Sequence, residues 1–144
     1  MPVMFSVIVP AAGPYPTGIL INNGAGYAKG TTAAMTTDGG NASHAFPVGA
    51  VVMAKDVNTR SDPTRVLGHA TANGATNVRI AGGGGTKFAL TDNAELYSTD
   101  SAALAFKLIS ERLGAIGVPL SPQAGIQCSD DGRGNLIYTY FDGN

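Results

Sequence analysis

Glycine and proline punctuate this chain of 144 residues so often that one stretch, Asp100 to Gly114, stands out as carrying a full helical stripe. Phe106, Ile109, Leu113 and Ile116 recur there at helical spacing, and Leu104 and Leu108 broaden the apolar face. Thr99 or Asp100 can cap the free backbone N–H groups, and Gly114, Gly117 and Pro119 stop the helix. Lys107, Ser110, Glu111 and Arg112 fall on the opposite side and are expected to face water. The rest of the chain must be built from short extended segments and turns. The pattern therefore predicts a mainly β, α+β protein with one helix in its C-terminal half, and a small sandwich or barrel as its body.

Val3 to Val9 is β-branched and apolar, and Pro10, Gly13, Pro14 and Pro16 exclude a helix after it. Gly18 to Asn22 reads as a second short strand. From Gly24 to Ser43 no period near two or 3.6 is present, so residues 1–45 are expected to form an extended N-terminal arm and loop. Residues 46–144 form the expected β-rich body. In it, Phe46 to Lys55 and Thr64 to Ala70 read as partner strands, Asn73-Gly74 as a turn, and Thr76 to Ala81 and Thr86 to Leu90 as further strands. The last segment, 125–141, reads as a hairpin whose turn is Asp130 to Gly134.

Charge narrows the partners. A net charge of −1 and a composition only 13% charged leave no basic face for phosphates, which argues against nucleic acid. No apolar run approaches the roughly 20 residues of a membrane span. The start lacks a secretory signal and Cys128 is the single cysteine, so folding in a reducing cytoplasm without an internal disulfide is expected. A surface made of Thr, Ser, Asn and backbone also suits lasting contact with other subunits, since interface cores are poor in charge.

The chemical motifs are sparse. Gly24-Ala-Gly26-Tyr-Ala-Lys-Gly30 has the wrong spacing for a dinucleotide loop, and Gly82 to Lys87 lacks the order of a phosphate loop. Asp130 to Asn135 carries the oxygen ligands of a calcium loop without their alternation, with Arg133 among them. His44, His69 and Cys128 show no metal-ligand spacing, and Cys128 is expected as a small core residue on a strand. Asn41-Ala42-Ser43 matches a glycosylation sequon, which has no meaning without a secretory signal.

Two families are similar in places. The start MPVMFSVIVP, with LISERLGAIGVPLSPQAGIQ and IYTYF near the other end, resembles the tautomerase superfamily. That resemblance implies Pro2 as a catalytic base, with Lys29 as partner to a substrate carboxylate. It also implies a long helix straight after the first strand, where this chain has AAGPYPTGILINNGAGYAKG. A soluble β-rich ligand-binding module is the other alternative.

The wider resemblance is to the small cement or decoration proteins of tailed-phage capsids. It is carried by the Gly/Ala/Thr-rich lead-in and by FPVGAVVMAKD followed by RVLGHATANG, with Pro47, Gly49, Leu67 and Gly68 at matching places. It implies a virion structural protein without enzymatic activity or cofactor, binding between major capsid proteins and to copies of itself, as trimers. In that reading the arm would lie on a neighbour, and Val3, Phe5, Val7, Val9, Ile19 and Leu20 would be its binding residues.

Overall fold

The first strand pairs with the last. In the computed structural model, which describes residues 4–10, 13–56, 64–117 and 125–141, β1 (Met4–Pro10) lies antiparallel to β10 (Asn135–Phe141). The hairpin partner β9 (Gly125–Asp130) continues that sheet in the order β1-β10-β9. Alternation sorts its faces. Val9, Tyr138 and Tyr140 point inward with Phe5, Val7 and Leu136, and meet Leu104, Ala105, Ile109 and Leu113 of the long helix. That helix, Ser101–Ala115, begins at Asp100, whose carboxylate accepts from the Ala103 N–H at 3.1 Å.

Between these ends the chain builds a second, larger sheet. Its strands are β2 (Tyr15–Ile21), β3 (Met35–Asp38), β4 (Val51–Ala54), β5 (Arg65–His69), β6 (Ala72–Gly74), β7 (Asn77–Arg79) and β8 (Glu95–Ser98). They are ordered β5-β4-β8-β2-β3-β7-β6, all antiparallel. The two ends of that order, β5 and β6, are separated in the chain by Ala70 and Thr71 alone. They are two halves of one bent strand, so the sheet curls round until its edges meet. At the bend Ala70 N–H donates to the Ala50 carbonyl at 2.9 Å and Thr71 N–H to the Arg79 carbonyl at 2.8 Å. A bulge in the β4–β5 pairing at Val52/Met53 adds curvature there. Inside lie Ile19, Ile21, Met35, Phe46, Leu67 and Leu96, all fully buried.

The helix signal, its cap and the C-terminal hairpin stand where the sequence places them, and β4 and β5 pair as expected, although β4 keeps only Val51–Ala54 of the stretch from Phe46 to Lys55 and Phe46 instead caps a short helix. Other segments differ from expectation. The strand expected at Gly18 to Asn22 is present as β2, but it is a member of the large sheet and not part of an arm. The segment 24–45, read as loop, supplies β3 and that short helix, α1 (Ala42–Ala45), whose Ala42 and Ala45 pack in the core of the same sheet. The long helix is accordingly α2. Asn73-Gly74 belongs to a strand, Thr86 to Leu90 keeps only a bridge from Leu90 to Tyr27, and β8, in the middle of the sheet, had no strand assigned.

Lys107 is the clearest reversal on α2. Expected in water, it is 3% exposed, because its side chain runs against Gly40, in the loop before α1, with Gly18 of β2 beside its ammonium. Its ammonium is held by Glu111 at 2.6 and 3.1 Å. On the same side Phe106 meets the His44 ring edge-on at 4.8 Å, whereas Ile116, expected in the stripe, is exposed.

Candidate functional site

The small sheet has one covered face and one bare one. Residues that alternate with the buried set, namely Met4, Ser6 and Ile8 on β1 and Ile137, Thr139 and Phe141 on β10, lie across from one another on the side away from α2. Met4 is 68% exposed, Ile8 64% and Phe141 45%. Large apolar side chains left in water in one contiguous row mark an interaction surface more often than scattered ones do. The Ser6 and Thr139 hydroxyls bond to each other at 2.8 Å in the middle of this row. Beside Phe141, Gly125 contributes no side chain, and a hollow of about 330 Å³ opens between Met4, Gln127, Thr139 and Phe141.

The two edges of this sheet are not alike. On β1, Arg112 of α2 stacks over the Phe5 ring at 4.6 Å and donates to the Ser6 carbonyl at 3.3 Å. On β9 every residue is exposed, and among the described residues its only strand partner is β10. Cys128 stands on that strand, exposed and free, opposite Tyr138 in the register. Its predicted core position is corrected by the reach of α2. The helix covers β1 and β10, so it buries Tyr138 and stops short of the residue paired with it. Burial pushes the Tyr138 phenol above its ordinary value of 10.0, and its oxygen shares a 2.8 Å hydrogen bond with the Ser101 hydroxyl.

The residues expected to bind a partner are placed otherwise. Val3 lies outside the described residues. Phe5 and Val7 are half-buried and face α2, while Val9 is fully packed in the small core. Ile19 is enclosed in the large core, and Leu20 is half-buried on β2. The extended start is thus paired within its own chain, and Val9 and Ile19 are not free to fill pockets elsewhere. Met4 and Ile8, the alternate residues of the same strand, are the ones presented outward. The strict alternation of MFSVIVP would have yielded them, had the inward set been assigned to the chain's own helix.

Other candidate chemistry is dispersed. Pro2 lies outside the described residues, Lys29 is exposed in the loop before Gly30, and strand β2 stands where the tautomerase resemblance requires a helix. The Gly82–Gly84 turn borders a hollow of about 200 Å³ with His69, Thr71 and Lys87. A larger cleft, of about 520 Å³, is lined by Lys55, Asp56, Asp92, Glu95 and Tyr97. Its carboxylates tie the large sheet together. Glu95 accepts from the Gly18 N–H and Asp92 from the Asn23 N–H, both at 3.0 Å, and Asp56 pairs with Arg65 at 3.3 Å. Among the described residues no three His, Cys, Asp or Glu side chains are grouped to hold a metal, and no helix is long and apolar enough to cross a membrane.

Comparison with protein-family models, with curated proteins and with solved structures finds no match to this chain.

Proposed function

We propose that this chain is a virion structural protein of the capsid cement or decoration type, which stabilises a phage capsid by binding between major capsid proteins. The observation that carries the reading is the bare face of the small sheet, where Met4, Ile8 and Phe141 stand in water beside a hollow large enough for a partner's side chain. A low charge density around such a face keeps desolvation cheap over a broad contact. Contacts repeated around a closed shell gain strength by multivalency, so each need only be weak. The binding residues in this form are the outward set of β1 and β10, in place of a free arm.

The test is co-sedimentation of the purified protein with empty capsid shells, followed by heating of the decorated shells. Binding that saturates at a fixed number of copies, with a raised rupture temperature, is the expected result. Ile8→Asp and Phe141→Ser should each weaken binding roughly tenfold or more, because both lie on the face to be covered, while the melting of the free protein stays unchanged. Free protein recovered wholly in the supernatant would sink the reading.

A further inference from the structure

We propose that β9 pairs antiparallel with β9 of a second copy of this chain, joining two three-stranded sheets into one six-stranded sheet about a two-fold axis. This pairing belongs to the free protein and does not rest on capsid binding. Strand edges are ordinarily blunted by lysine, proline, a bulge or a covering side chain. β1 has such devices, with Pro10 at its end and the Arg112 guanidinium on the Ser6 carbonyl. β9 has none. Its sequence GIQCSD contains neither lysine nor proline, and its pairing with β10 runs without a register shift over six residues.

Charge selects the partner and its direction. The one charged residue of the strand, Asp130, sits at its end. Antiparallel pairing about the middle of the strand sets the two Asp130 carboxylates about four residues apart with Cys128 on the axis, roughly 13 Å at the rise of a strand, and about six apart, roughly 20 Å, with Gln127 on it. Both exceed the screening length of roughly 8–10 Å in ordinary salt. Parallel pairing would stack them at the strand spacing of about 5 Å. A second copy read in the opposite direction is thus a neutral, matching edge. Only residues of one parity point their backbone groups outward, so two symmetric registers are open, with Gln127 or Cys128 facing its own copy across the axis. The second register sets the two Cys128 side chains directly opposite, the first sets them on a diagonal. Either joins the bare faces of the two small sheets into one surface, which Ile126 borders from the helix side.

Cys128 is the chain's only cysteine, so a thiol crosslink reports this contact alone. Light scattering on the unmodified protein should give the mass of two chains, and a short bis-maleimide should convert it to a covalent dimer. Cys128→Ser should keep the doubled mass and lose the crosslink. Cys128→Lys sets two ammonium groups against each other on an exposed strand, and should halve the mass while circular dichroism and melting are retained. A wild-type mass of one or three chains, a dimer that bis-maleimide does not link, or a folded Cys128→Lys protein that remains dimeric would each overturn the proposal. Failure of shell binding with the dimer intact would count against the capsid reading only.

Discussion

Asp131 organises the turn that sets β9 beside β10. One carboxylate oxygen accepts from the N–H groups of Arg133 at 2.7 Å and Asn135 at 3.2 Å, and the other from the Asn135 side-chain amide at 3.0 Å. These bonds favour the charged form, the Asn135 amide most, and hold the carboxyl below its ordinary value of 3.8. The sign follows from linkage. The turn gains its full stabilisation above that ordinary value, and loses it as pH falls through the lower folded one. In an NMR titration the Arg133 and Asn135 amides should therefore move with a midpoint below 3.8, and a midpoint at or above it would show that the bonds do not hold in solution. The turn residues were legible because aspartate and glycine have strong local preferences. Cys128 was not, since local sequence tells which face a strand residue occupies and is silent on how far the covering helix extends.

At the scale of elements, α2 is the joint between the two halves of the fold. Its apolar stripe packs on the small sheet, and its second side meets α1 through Phe106 and carries Lys107 buried beside Gly40. Glu111 lies one turn further on, half-exposed, and supplies the countercharge. Removing it by Glu111→Ala leaves an ammonium buried without its partner, and should cost about 3 kcal/mol. Lys107→Met removes the charge and keeps the stem, so its cost should stay within about 1 kcal/mol. Urea unfolding of the two variants separates the cases, and equal losses would mean that the ion pair has no special part in the joint. The sequence marked α2 and its cap correctly because both are local. It placed Lys107 in water because its cover, the loop at Gly40, comes from a segment without any period of its own.

For the whole molecule, closure of the large sheet depends on close approach at Gly68. A methyl group there would stand 2.5 Å from Ile80 Cγ2, inside the core and within β5, two residues before the bend. Gly68→Ala should destabilise the protein by about 1–3 kcal/mol through overpacking. Ile80→Ala also destabilises by leaving a cavity, yet the double variant should be more stable than the sum of the two losses. A thermal or urea double-mutant cycle with strict additivity would show that the contact does not limit closure.

The sequence by itself determined the class of this protein. Frequent glycine and proline limited it to short strands and one long helix, and the periodicity of that helix, its Asp100 cap and the final hairpin could be read from neighbouring residues alone. Tertiary structure decided what the first 45 residues do. The β1–β10 pairing joins Met4 to Phe141 across nearly the whole chain, and β2 finds its place between β3 and β8. Such pairings depend on which edges remain open once the other strands have folded, and no local signal encodes that. Pairing of β1 with β10 under α2 made Val9 a core residue, closure of the large sheet enclosed Ile19, and Met4, Ile8 and the edge of β9 were left on the surface.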